Sequence, residues 1–399
     1  YRALWGIFAR LARVDQRILI LADMKRAFLH KVNLSPATTL IRGDRMYDAK
    51  TNPRGRRPAA FFLAILLALS LSLAPAWAAE GEKQVIPLGR AVGIKLFSSG
   101  VLVVDLSAVT GESGEKSPAK SCGLKEGDVI VSAAGSELRS TEQLQELLQQ
   151  GAGETLELQV RRGGQLLTMQ AEPVLCGDGV WRLGAWIRDS MAGIGTVTFY
   201  DPQTGVFAAL GHGITDVDTG KLMPLSRGSV MAASVKAVKR GASGSPGELR
   251  GDFDLTRDLG SLYANTECGI FGVLPEENRP EAVGEAIPVA RRTEVRTGKA
   301  VILANCRGDE VCAYEIEIEK LYGGSAPTRN LLLRVTDPAL IALTGGIVQG
   351  MSGSPIVQDG KLVGAVTHVL LDDPQRGYGI LAENMLSASG MTAQSAASA

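Results

Sequence analysis

The chain has 399 residues and a mass of 42.1 kDa, a length that suits two or three domains. Its 42 Lys+Arg balance 42 Asp+Glu, so no whole-chain basic surface exists for nucleic acid, and none is expected as a partner. Gly accounts for 47 residues, 44 of them after residue 79, which points to turns between strands and excludes a helical bundle as the main architecture.

The zero net charge conceals an asymmetry. Residues 1–57 carry 13 Lys/Arg against four Asp/Glu, and the remainder carries 29 against 38. Residues 58–79 (PAAFFLAILLALSLSLAPAWAA) hold no charge, follow Arg54, Arg56 and Arg57, and end on Ala76-Trp77-Ala78. A basic flank, an apolar run and a small-x-small site make a secretory signal. The same uncharged stretch is also long enough to cross ~30 Å of bilayer as a helix. Segment 58–79 is therefore expected to be a signal peptide or a membrane anchor. In either case residues from Glu80 onward lie outside the cytoplasm. Met46 stands where a signal of ordinary architecture would begin. Residues 1–45 are either a cytoplasmic tail or a stretch upstream of the true start, and they receive no function.

Residues 85–173 read as a small α+β module. Val92, Gly93 and Ile94 open a strand that continues through Val101, Leu102, Val103 and Val104. Then comes Gly123-Leu124-Lys125-Glu126-Gly127-Asp128-Val129-Ile130. Ser140 with Gln143 forms a capping box, Leu144, Leu147 and Leu148 mark one helical face, and Gly151 ends the helix. Leu156, Leu158 and Val160 alternate as a strand, and Gly163-Gly164 turns the chain back through Leu167 and Met169. This order resembles a PDZ domain. The resemblance implies a groove between strand and helix where a peptide terminus adds as an extra strand, with backbone N–H groups of Val92, Gly93 and Ile94 receiving its carboxylate.

Five cysteines without a C-x-x-C exclude a zinc ribbon or a thioredoxin-type site, and no metal is expected. Cys306 and Cys312 are the locally spaced disulfide pair, set against a reading of all five as free thiols.

In residues 176–399 the strongest motif is Gly350-Met351-Ser352-Gly353-Ser354-Pro355. G-x-S-G-x-P is the way trypsin-like serine proteases present a nucleophile. The Gly350 and Ser352 N–H groups would form the oxyanion hole. Gly241-Ala242-Ser243-Gly244-Ser245-Pro246 fits the same pattern, but polar residues surround it and no strand follows to hold a nucleophile rigid. Of three histidines, His30 precedes the apolar segment, which leaves His212 between glycines and His368 in an apolar run. His212, lying before Ser352 in trypsin-like order, is read as the general base. His368 is read as a core or supporting residue. For the third member, Asp216, Asp218 and Asp337 stay open.

Residues 181–216, 265–272 and 315–380, the last containing TGGIVQGMSGSPI and GAVTHV, resemble the stage IV sporulation protein B peptidase family. By that resemblance His212, Asp337 and Ser352 are the triad. The family's role implies an exported signalling serine endopeptidase of endospore formation, acting between the two forespore membranes. The same resemblance implies that it cuts a regulatory subunit of the membrane-embedded complex that processes a precursor sigma factor, and that it cuts itself. The expected fold is mainly β, with a PDZ domain followed by a trypsin-like double β-barrel. The mechanism is acyl-enzyme formation without a cofactor. The competing readings are a non-catalytic envelope scaffold and a general quality-control protease.

Overall fold

The computed structural model describes residues 82–279, 284–323 and 327–391. The expected signal or anchor at 58–79 and the basic segment 1–57 lie outside the described residues. No described helix is long and apolar enough to cross a membrane.

The strand β1 (Gln84–Leu106) is 23 residues long and serves two bodies. Its first part, residues 86–97, pairs on one side with β5, and residues 92–98 pair on the other with β7, both bounded below. The register then shifts across Ser98, Ser99 and Gly100. Gly100 has φ +105°, and a Cβ there would sit 2.6 Å from the Ile130 carbonyl oxygen, so glycine allows the bend. Beyond it, Val101 and Leu102 pair with β2 (Val129–Ala133) of the small module.

That module contains the short helix α1 (Pro118–Ser121), β2, helix α2 (Thr141–Gln150), β3 (Leu156–Arg162) and β4 (Gln165–Ala171). Ser140 caps α2 as expected, accepting from the Gln143 N–H. The Gln143 amide reaches back to the Arg139 N–H. Leu144 and Leu148 enter a core with Val101, Val103, Ile130, Leu158 and Val160. Asp128 is 1% exposed and is held by a two-toothed ion pair to Arg162 (2.6 and 2.7 Å) and by the Lys125 N–H. A buried carboxylate is tolerated when it is paired and hydrogen-bonded in this way.

The remaining strands make two barrels. Strands β5 (Ala185–Tyr200), β6 (Val206–Ala209), β7 (Leu225–Lys239), β8 (Glu248–Thr266) and β9 (Gly269–Val273) join β1 in the ring β5-β6-β9-β8-β7-β1, closed by pairing of β1 with β5. Strands β10 (Gly298–Arg307), β11 (Glu310–Leu321), β12 (Leu331–Val335), β13 (Pro355–Gln358), β14 (Lys361–Leu370) and β15 (Asp373–Leu381) close a second ring in the order β10-β11-β12-β15-β14-β13. Helix α3 (Pro338–Thr344) leads into the Ser352 turn, and α4 (Ala382–Ser389) follows the last strand. The barrels are joined by an apolar seam. It includes Phe199, Ala208 and Phe271 from the first, Leu362, Ala365 and Ile380 from the second, and Met385 of α4. Phe199 and Phe271 are fully buried there, worth about 2–3 kcal/mol each in removed apolar surface.

The structure differs from the expected division into 85–173 and 176–399. Residues 86–97 belong to the first barrel, and the module closes with a later segment. Residues 185–188 of β5 pair with 102–106 of β1, and Leu183, Ala185 and Ile187 pack on the module's core. The small module is thus set between two strands of a barrel. Sequence reading missed this because one long alternating strand looks the same whichever sheet it joins.

Candidate active site

The Ser352 turn is held on all sides. The Gly353 N–H donates to the Val366 carbonyl, the Ser354 N–H to the Met351 carbonyl, and the Ser352 carbonyl accepts from Thr196 N–H at 3.0 Å. Gly353 has φ +97°, and a Cβ there would lie 2.1 Å from the Thr196 carbonyl oxygen and 2.6 Å from the Leu210 nitrogen. No other residue fits. Gly350 has φ +96°. Neither its N–H nor that of Ser352 is used in a hydrogen bond among the described residues, so both expected oxyanion donors are open.

The histidine turn follows β6. Leu210 and Gly211 both take left-handed backbone (φ +67° and +69°), a conformation that costs a non-glycine residue roughly 1 kcal/mol. A Cβ on Gly211 would lie 2.9 Å from side-chain carbons of Thr367 and Ile380, so the turn presses directly on the second barrel. His212 is half-buried. Its Nδ1 lies 2.8 Å from the Gly213 carbonyl oxygen, which assigns the proton to Nδ1 and leaves Nε2 as acceptor. Its ring centroid is 5.2 Å from that of His368.

Ser352 Oγ donates to the Thr367 carbonyl at 2.9 Å. Ser352 and His212 therefore both face the Thr367–His368 stretch of β14. The His368 Nδ1 is buried without a partner. Burial pushes His212 below the ordinary imidazole value of 6.5. Burial, the His212 ring and the Arg329 charge push His368 down to about 4. Both imidazoles are neutral near pH 7, the form a general base requires.

Asp337 is not brought to this place. Its Oδ1 accepts from the Ala339 and Leu340 N–H groups (2.8 and 3.0 Å), its Oδ2 faces the Glu315 N–H at 3.3 Å, and it caps α3. Asp before Pro starts the helix, because Pro supplies no N–H and a preset φ. The other two acids are engaged elsewhere too. Asp216, fully buried, holds Arg188, the Asp218 and Thr219 N–H groups and the Thr219 hydroxyl. Asp218 holds Arg188. None of the three hydrogen-bonds His212, whose ring is oriented by its own neighbour's carbonyl.

Ser243 is exposed at the tip of a tight turn bridged by Ala242 and Ser245, so the second G-x-S-G-x-P is a hairpin end. The peptide-binding residues Val92, Gly93 and Ile94 are also displaced from their expected role. Each pairs with β5 on one side and β7 on the other, leaving no edge for an added strand. All five cysteines are free, Cys306 being buried and raised to about 12 by that burial and by Cys312.

A G-x-S-G turn pressed against a glycine-flanked histidine between two barrels, with a PDZ module attached, defines a serine peptidase. The chain belongs to the SpoIVB peptidase S55 family, whose model matches residues 179–386, and a PDZ domain model matches 111–162. A protein of Clostridium perfringens (strain 13 / Type A), named "Putative zinc metalloprotease CPE1693", is 22% identical over 109 residues, 26% of this chain and 32% of that protein. The chain thus spans about a third of that curated relative. Similar solved structures include the PDZ domain of the SdrC-like protein (Lmo2051) from Listeria monocytogenes (19% identity, 22% of this chain, 87% of that one, TM-score 0.19). Another is the active form of the Rv3671c protease from M. tuberculosis (16% identity, 52% and 77%, TM-score 0.29).

Two outcomes follow from this geometry. Asp337→Asn, which still caps a helix, should keep kcat/KM within about fivefold, whereas a triad carboxylate changed to the amide costs on the order of 10⁴. Peptide-hydrolysis kinetics of the purified variant decide between them. The acid limb of kcat/KM against pH should fall below pH 6.5, because the depressed His212 stays unprotonated to lower pH than an ordinary histidine.

Proposed function

We propose that Ser352 is the nucleophile and His212 the general base of an exported signalling endopeptidase. The observation that carries this reading is the rigid Ser352 turn, with two free N–H groups beside the hydroxyl and a neutral histidine on the facing wall. Ser352 Oγ rotates from the Thr367 carbonyl toward His212, gives its proton to Nε2 and attacks the scissile carbonyl. The Gly350 and Ser352 N–H groups take the oxyanion. His212 returns the proton to the leaving amine, and water then releases the acyl group by the same base. The Gly213 carbonyl keeps the imidazole in the required tautomer.

Membership of the SpoIVB family supports a role in endospore formation. The substrate would be a regulatory protein of the membrane-embedded sigma-factor processing complex. The apolar segment 58–79 would place the enzyme at or beyond the cytoplasmic membrane, between the forespore membranes. Purified wild type, Ser352→Ala and Ser243→Ala, followed by intact mass over hours, test the chemistry. Wild type and Ser243→Ala should cut themselves and Ser352→Ala should not. Equal cutting by all three would remove Ser352 from the mechanism. Retained signalling in a Ser352→Ala strain would favour the scaffold reading.

Peptide recognition by the PDZ module moves to β5. Its first residues and the segment before them lie beside α2, tied at one end by Asp189 to the Thr141 N–H and at the other by the Trp181 carbonyl to Gln145 and Gln149. Between these ties, residues 185–188 pair only with β1 among the described strands. An added peptide strand would use that free edge. Hydrogen exchange should slow at 185–188 when a selected C-terminal peptide binds, and stay unchanged at 92–94.

A further inference from the structure

We infer that Thr196, on β5, is the positioning residue that locks the nucleophile turn to the histidine turn. The inference rests on the assignment of Ser352 and His212 above. Thr196 is 2% exposed, yet each of its three polar groups bonds to the nucleophile or histidine turn. Its N–H donates to the Ser352 carbonyl at 3.0 Å. Its Oγ1 donates to the Gly350 carbonyl at 2.7 Å. Its own carbonyl accepts the Leu210 N–H at 3.1 Å, two residues before His212.

The hydroxyl is the part a strand does not require. Any residue in β5 offers an N–H and a carbonyl. Only a side-chain donor at 196 reaches Gly350. Glycine with positive φ is free to turn its peptide planes, and Gly350 supplies one of the two open N–H groups. The plane before Gly350 is fixed by the Leu249 N–H, which donates to the Gln349 carbonyl at 2.8 Å. The plane after it, Gly350–Met351, is held at its carbonyl by Thr196 Oγ1 and at its N–H by the Val348 carbonyl at 3.1 Å. The Leu249 bond sets the direction of the Gly350 N–H, and the Thr196 bonds to the Gly350 and Ser352 carbonyls fix the backbone on either side of Met351 and so the Ser352 N–H, so both oxyanion donors are set before substrate arrives. Without the hydroxyl, the Gly350–Met351 plane keeps only the Met351 N–H bond to Val348 and can tilt, which misdirects the Ser352 N–H, and catalysis suffers more than binding.

The test uses the full chain and a fluorophosphonate probe, whose phosphorus is attacked by Ser352 Oγ with loss of fluoride. The rate constant of inactivation (kinact) and the half-saturating probe concentration (KI) are measured for wild type, Thr196→Val and Thr196→Ser, with the labelled residue identified by mass. Thr196→Val, close in shape but without the donor, should lower kinact at least tenfold with KI within twofold. Thr196→Ser, which restores the donor, should recover kinact to within threefold. Circular dichroism checks folding, and if Thr196→Val is unfolded, Thr196→Ala replaces it. Labelling of Ser352 at equal kinact in wild type and the hydroxyl-free variant overturns the positioning role alone. Failure of wild type to label at Ser352 overturns the peptidase assignment itself, and this inference with it.

Discussion

Everything at this centre depends on a backbone-to-backbone approach between two barrels. The Ser352 turn belongs to the second barrel and the His212 turn to the first, and they meet where Gly353 lies against Thr196 and Leu210. No side chain fits in that contact. Its closeness lets main-chain groups, which have little conformational freedom, do the aligning. The apolar seam of Phe199, Phe271, Leu362 and Ile380 keeps the barrels pressed together, and so holds the Ser352 turn against the His212 turn.

The histidine is oriented economically. A carbonyl acceptor at Nδ1 fixes the same tautomer that a carboxylate would. A neutral acceptor offsets less of the positive charge that the proposed proton transfer puts on the ring, since charge-assisted hydrogen bonds are about twice as strong as neutral ones. Burial adds to this by disfavouring the imidazolium. His368, also neutral and lacking a partner at Nδ1, lines the same wall without contributing a countercharge.

Much of this was readable in the sequence where chemistry forces a short pattern. The glycines of G-M-S-G-S-P are demanded by positive φ and by the absence of room for a Cβ, so the pattern announces a tight turn at Ser352. The glycines around His212 do the same. Ser243 reads in sequence as lacking a following strand, but β8 begins at Glu248, and Ser243 is the exposed tip of the β7–β8 hairpin. What could not be read was pairing over long distances. Asp337, a triad acid by resemblance, is a helix cap, the local use that Asp before Pro already suggested, and only the fold shows its carboxylate engaged there. Val92, Gly93 and Ile94 looked like a ligand loop, and only the sheet register shows both of their edges taken. Thr196 carried no signal, since its role depends on a contact 154 residues away in sequence.

The sharing of β1 and β5 between the small module and the first barrel has a consequence for how the chain comes together. The barrel cannot close as β1 leaves the ribosome, because its partners β5 and β7 lie roughly a hundred residues or more downstream. Closing so long a loop is entropically unfavourable and slow. If the intervening module condenses first, the ends of that loop are drawn together and the effective distance shrinks to a few residues. The inserted module then acts during biogenesis as an internal folding clamp. A destabilising change in its core would be felt first as a low yield of assembled peptidase rather than as weakened recognition of any partner.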